Sequence, residues 1–137
     1  MGVRILIVDD DFRSRNFLLN ILAHSAKVDV AVTGKEAVDA VKAAHAAKSP
    51  YSLIFMDVWM PEKDGQVALK EIRQFEQSRS ILAMDKSKII MTTGSGDAQN
   101  VAAAFENQCD GYLKKPYTEN EVVAQLVELG FSIGKKR

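Results

Sequence analysis

A chain of 137 residues suits one domain with a core of its own, and 47% hydrophobic against 26% charged residues is the balance of an ordinary globular protein. Its 18 basic and 18 acidic residues cancel to a formal net charge of +0, which offers no electrostatic footprint for nucleic acid or an anionic membrane, and no apolar run is long enough to span a bilayer. Cys109 is the only cysteine, so no internal disulfide can form, and no export signal precedes the first strand pattern; a cytoplasmic location is expected.

Ile5-Leu6-Ile7-Val8 is a short apolar run of the kind a strand buried on both faces requires, and it ends in Asp9-Asp10-Asp11. A helix is predicted from Phe12 to Ala23, with Phe17, Leu18, Ile21 and Leu22 on its inner face and Asp11 as its N-cap. Val28, Val30 and Val32 alternate with Asp29 and Ala31 as in an outer strand. Thr33 with Glu36 makes a capping box, opening a second helix that turns Ala37, Val38, Val41 and Ala44 inward.

Leu53 to Met56 is a run of four apolar residues that leads straight into Asp57; Met60-Pro61 then stops regular structure, and Asp64-Gly65 is a further turn signal. A third helix from near Gly65 carries Ala68, Leu69, Ile72 and Phe75 inward, and the stretch Glu76 to Ser87 either extends it or forms a loop. Ile89 to Thr93 is a strand, Gly94-Ser95-Gly96 a turn, and Asp97 can cap a helix carrying Val101, Ala104 and Phe105. Tyr112-Leu113 forms a short last strand. Thr118 and Glu121 form a second capping box, Val122, Val123, Leu126 and Val127 line one side of the last helix, Gly130 stops it, and the tail from Gly134 to Arg137 is expected to fray.

Five strands alternating with five helices predict an α/β fold: a parallel sheet covered by helices on both faces, joined by right-handed crossovers. Such a sheet brings every strand's carboxyl end to one edge, where ligands bind. Along that edge stand Asp9, Asp10, Asp57, Thr93 and Lys115. Clustered carboxylates make a hard oxygen site suited to a divalent cation such as Mg2+. A hydroxyl and an ammonium opposite them can hold the oxygens of a transferred phosphoryl group, a reaction that is mostly positioning and charge neutralisation, with Asp57 as the nucleophile.

Val8-Asp9-Asp10, Asp57 within Asp-x-x-Met-Pro-x-x-Asp-Gly, Thr93 before a small residue, and Gly-Tyr-x-x-Lys-Pro at 111–116 occur in that order, and with them the chain resembles a response-regulator receiver domain of two-component signalling over about residues 3–130. The resemblance implies a flavodoxin-like doubly wound (βα)5 fold with strand order 2-1-3-4-5, and residues 1–137 as a single receiver domain of the chemotaxis-regulator type. It implies that Asp57 accepts the phosphoryl group. Asp10, Asp57 and the backbone carbonyl of Trp59 would bind Mg2+ directly, and Asp9 through water. Thr93 and Lys115 would grip the phosphoryl oxygens, and Tyr112 would be the aromatic that turns inward when the hydroxyl moves. The Lys115–Pro116 bond would be cis. The partners implied are a histidine kinase or histidine phosphotransfer protein and an unknown downstream protein, read through the fourth helix, fifth strand and fifth helix. No output domain follows the last helix in this chain, so a single-domain regulator or a receiver cut from a larger protein is expected.

Two departures from the family pattern stand out. The segment between the third helix and fourth strand is longer than usual, and bulky Trp59 stands two residues after Asp57. The resemblance places the side chains of Trp59 and Ser95 at the rim of the approach of water, so both would be lifetime-tuning residues, and a long-lived phosphorylated state is expected. An aspartyl-nucleophile phosphatase is the enzyme alternative; it wants a general acid at the Trp59 position, which indole cannot be, so the chain is read as a phosphoacceptor and not an enzyme. Other residues are given structural roles: Asp11 as a cap, Thr92 as packing on the opposite strand face, Lys114 as a solvated neighbour and Cys109 as a small buried group. His24 and His45 are read as exposed helix residues, and Met56, Met60, Met84 and Met91 as core or loop packing.

Overall fold

The computed structural model describes residues 3–60, 64–94 and 98–132. In chain order the elements are β1 (Val3–Val8), α1 (Phe12–Leu22), β2 (Ala26–Ala31), α2 (Gly34–Ala46), β3 (Leu53–Asp57), α3 (Gly65–Ser78), β4 (Lys88–Thr93), α4 (Ala98–Glu106), β5 (Gly111–Lys114) and α5 (Glu119–Glu128). All neighbouring strands pair in parallel, in the order β2-β1-β3-β4-β5. The expected α/β architecture and strand order are both present.

The sheet separates two apolar layers. Leu6, Ile54, Met56, Ile89 and Met91 face α2, α3 and α4, meeting Val41, Leu69, Ile72 and Ala104. Ile5, Ile7, Leu53, Phe55 and Ile90 face α1 and α5, meeting Leu18, Leu22, Val122 and Leu126. The period-two alternation of a strand sends successive side chains to opposite layers, so the stretches Ile5–Val8, Leu53–Met56 and Ile89–Met91, covered on both faces, are continuously apolar. Edge strand β2 needs only one buried face. There Val28 is half-buried against the α1 and α5 layer, Val30 is exposed, and Ala31 is buried in the layer that contains α2.

Caps set the helix starts. The Asp11 carboxylate accepts the Ser14 N–H at 2.9 Å, and Asp64 accepts the Val67 N–H at 3.0 Å. Thr118 and Glu121 complete the reciprocal box at the start of α5. The box expected at Thr33 is only half made: Thr33 accepts the Glu36 N–H at 3.0 Å, but the Glu36 carboxylate accepts the Val32 N–H at 2.9 Å instead of the cap's own. Asp97 and Ser95 lie outside the described residues, as do the 61–63 portion of the turn after β3 and the tail from Gly134.

Several inward assignments fall at the margins of their helical stripes. Phe17, Phe105 and Val127 are exposed and Phe75 is half-buried, because the apolar arc covered by a sheet is narrower than the arc that carries apolar residues. Met84 is exposed rather than packed. His24 is exposed in the turn after α1, outside the helix, whereas His45 is half-buried with its ring 5.4 Å from that of Phe75. Cys109 is buried as expected, which pushes its thiol up to about 11. No helix among the described residues is long and apolar enough to cross a membrane.

The 76–87 stretch is both helix and loop. α3 continues to Ser78, Ser80 turns the chain at φ 54, and a 3-10 turn, Ala83–Asp85, precedes β4. Glu76 is buried at 0% exposure. Arg73 compensates it: Nη1 donates to Glu76 Oε1 at 2.8 Å and Nη2 to Asp110 Oδ2 at 2.8 Å. The Ser87 N–H donates to the second Glu76 oxygen at 2.9 Å. A buried carboxylate without such partners would cost several kcal/mol.

Candidate functional site

Register brings the strand ends together. Val8 pairs with Met56, Asp57 with Thr92 and Thr93 with Lys114, so the residues that follow β1, β3, β4 and β5 emerge side by side. Carboxylate oxygens of Asp9, Asp10 and Asp57 lie within 4.8 Å of one another; Asp9 and Asp57 are buried and Asp10 is exposed.

Lys115 is the cation that faces them. Its Nζ donates to Asp9 Oδ2 at 2.9 Å and lies 3.6 Å from Asp57 Oδ1. The Asp9 carboxylate also accepts the Asp11 N–H at 2.9 Å. The chain is led there by backbone pairing, the Lys115 N–H donating to the Thr93 carbonyl at 2.6 Å. The Lys115–Pro116 bond is cis.

Among the described residues one ammonium, Lys115, is paired with this cluster of three carboxylates. Burial first, then the charge of Asp9, push Asp57 up to about 6, while Lys115 and the Trp59 N–H act in the opposite direction and Asp10 adds to the rise. For Lys115, burial favours the neutral amine, but the hydrogen bond to Asp9 and the charges of Asp57, Asp9 and Asp11 outweigh it and hold the ammonium raised. The edge therefore holds an excess of negative charge beside an ordered cation, an arrangement suited to a divalent metal and to an anion with several oxygens.

The other anticipated residues fall as follows. Thr93 is fully buried at the end of β4, and Thr92 is buried with Ile90's parity, on the opposite face. Tyr112 is half-buried on β5 and rests against the layer containing Met91 and Ala104. Trp59 is 58% exposed, so its indole stands largely in solvent.

Two neighbours had no assigned role from sequence. A Cβ on Gly65 would lie 2.0 Å from the Asp57 carbonyl oxygen, so only glycine lets the start of α3 close over the end of β3. Its place in Asp64-Gly65 signalled a turn but not that contact. Tyr117 is half-buried, with its ring 5.7 Å from that of Phe17, and its phenol is raised by burial and by the charges of Asp9 and Asp57. Its position just past Lys115-Pro116 was the available signal.

A family model, the response regulator receiver domain, matches residues 5–127. The transcriptional regulatory protein SrrA of Staphylococcus aureus is 32% identical over 130 residues, covering 94% of this chain and 48% of its own length. The chain thus spans about half the length of the relatives of that kind that it matches. Among solved structures, the CheX-CheY-BeF3-Mg complex of Borrelia burgdorferi shares the fold, with TM-score 0.80, 23% identity and coverage of 93% of this chain and 88% of that one. The co-crystal structure of the Saccharomyces cerevisiae histidine phosphotransfer protein Ypd1 with the receiver domain of Ssk1 gives TM-score 0.79 and 27% identity, covering 94% and 89%.

Proposed function

The chain belongs to the response regulator receiver domain family, and we propose that within it Asp57 is the phosphoacceptor, charged by a histidine kinase or a histidine phosphotransfer protein. The observation that carries this reading is the buried Asp57 carboxylate, 3.6 Å from Lys115 Nζ and clustered with Asp9 and Asp10. In the transfer an Asp57 oxygen bonds to phosphorus as the donor's N–P bond breaks, and the electron pair departs with the imidazole, which takes up a proton. A carboxylate raised to about 6 is more basic than usual yet still largely ionised at neutral pH, both useful in a nucleophile.

Lys115 and Thr93 hold the incoming oxygens, so that the phosphoryl group arrives positioned and partly neutralised. The donor set is all oxygen and carries excess negative charge, which fits Mg2+. Asp10, Asp57 and the Trp59 carbonyl would bind it directly and Asp9 through water; when bound it supplies charge neutralisation to the phosphoryl oxygens. The added charge moves Thr93, Tyr112 turns inward behind it, and the face of α4, β5 and α5 changes for a downstream protein.

Residues 1–137 act in this reading as a single cytoplasmic receiver domain with its core in about 3–130, and as a phosphoacceptor rather than a turnover enzyme. The Ypd1 complex with the Ssk1 receiver supports a phosphotransfer partner, and the BeF3-Mg complex of the Borrelia regulator supports the metal. Trp59 and Ser95 set how long the acyl phosphate lasts. Incubation with acetyl phosphate and Mg2+ should add one phosphoryl mass to the wild type and none to Asp57→Asn; labelling that survives the substitution rules Asp57 out.

A further inference from the structure

The edge of the sheet opposite Asp57 carries a concavity that phosphoryl transfer leaves unused. The segment between α3 and β4 arches over a cavity of about 660 Å³ whose other walls include His45 at the end of α2, Tyr51 before β3, and Phe131. Two features distinguish it. First, Leu82 and Met84 line it while 65% and 85% exposed, large apolar side chains held in water by the arch. Apolar surface of this kind gains free energy when another chain covers it. Second, the cavity is lined by Arg79, Lys86 and Lys88 against one carboxylate, Asp85.

The neighbouring acids do not neutralise those cations. Arg73 engages Glu76 and Asp110, each at 2.8 Å, and Arg4 and Tyr51 engage Asp29, each at 2.7 Å. Among the described residues the charges are therefore unevenly spread, with carboxylates in excess around Asp57 and cations in excess around this cavity. A site that presents apolar and cationic side chains together is complementary to an apolar segment of the reverse charge.

We propose that this cavity docks an acidic, apolar segment of a partner protein, its apolar side chains covering Leu82, Met84 and Phe131 and its carboxylates meeting Arg79, Lys86 and Lys88. The site lies at the opposite ends of the strands from Asp57 and stands whether or not Asp57 is the phosphoacceptor. The probe is a short fluorescein-labelled peptide alternating leucine with glutamate, compared with a leucine–lysine counterpart by anisotropy and by the Met84 methyl resonance of the intact protein. The glutamate peptide should bind and shift Met84, and added salt should weaken it. Arg79→Glu with Lys86→Glu, and separately Leu82→Ser with Met84→Ser, should each weaken it roughly tenfold. Thermal melts check folding, and Met84→Ser alone, at the most exposed position, keeps the test available if a double variant unfolds. Absence of binding, equal binding of the lysine peptide, or affinity unchanged by the variants overturns the proposal. So does a dimer in sedimentation that Leu82→Ser with Met84→Ser abolishes, which would give the surface to a second copy of the chain.

Discussion

The two ends of the sheet treat their carboxylates in opposite ways. At the amino ends Glu76 and Asp110 are matched by the Arg73 guanidinium, and Asp29 by Arg4 and the Tyr51 hydroxyl. The hydrogen bond from Tyr51, then that from Arg4, hold Asp29 below its usual range, and the same contact, after burial, pushes the Tyr51 phenol up to about 12. At the carboxyl ends Asp9, Asp10 and Asp57 cluster, Lys115 pairs with Asp9 and lies near Asp57, and Asp57 is raised. The first arrangement stabilises the fold. The second holds charge that a bound cation or phosphoryl group can use, and it costs stability while those are absent.

The strongest way to break the contrast is to remove the matching cation. Arg73→Met leaves Glu76 buried without its counter-ion and should cost about 3–5 kcal/mol in urea unfolding. Glu76→Gln in the same background should recover part of it. A loss below about 1 kcal/mol in Arg73→Met would mean that the cluster is not holding the 76–87 segment.

Asp57 should show the reverse sign. Its folded value of about 6 exceeds the model-peptide 3.8, so the native state binds the extra proton and, without metal, stability falls as pH rises from about 4 through 6. Asp57→Asn removes that slope and should stabilise the metal-free protein at neutral pH by at most about 3 kcal/mol. Mg2+ should raise the wild-type melting temperature and narrow the gap. Parallel wild-type and Asn pH profiles would show that Asp57 is not burdened by its neighbours.

The indole of Trp59 tests what the unbalanced edge does once charged. If it limits the approach of water, Trp59→Asn should speed loss of the phosphoryl group by about tenfold. First-order decay at an unchanged rate would confine Trp59 to the surface, in keeping with its 58% exposure. The smallest effect belongs to the matched end. Tyr51→Phe deletes one hydrogen bond to a part-exposed carboxylate and should cost about 1 kcal/mol. Because Asp29 is lowered, that contribution is present above the unfolded value and is lost only as pH falls below it through the folded one. A loss that already appears near pH 6 in urea titrations would assign it to another group.

How much of this was legible in the chain depended on the range over which each feature is decided. The runs Ile5–Val8 and Leu53–Met56, the caps at Asp11 and Thr118 and the inner face of α2 follow from neighbours a few positions apart, because periodicity and turn chemistry are local. Alternation of strands and helices then required a parallel sheet, and a parallel sheet collects Asp9, Asp10, Asp57, Thr93 and Lys115 at one edge whatever the loops do. The tertiary structure alone decided which partner each polar group found. Glu36 turned to Val32, Lys115 lies nearer Asp9 than Asp57, and Glu76 became buried because Arg73 also reaches Asp110, 37 residues further along the chain. It also decided that Gly65 would press on the Asp57 carbonyl and that Phe17, Phe105 and Val127 would face solvent. Those outcomes depend on how elements distant in sequence meet, and a helix or strand carries no record of the width of the surface that will cover it.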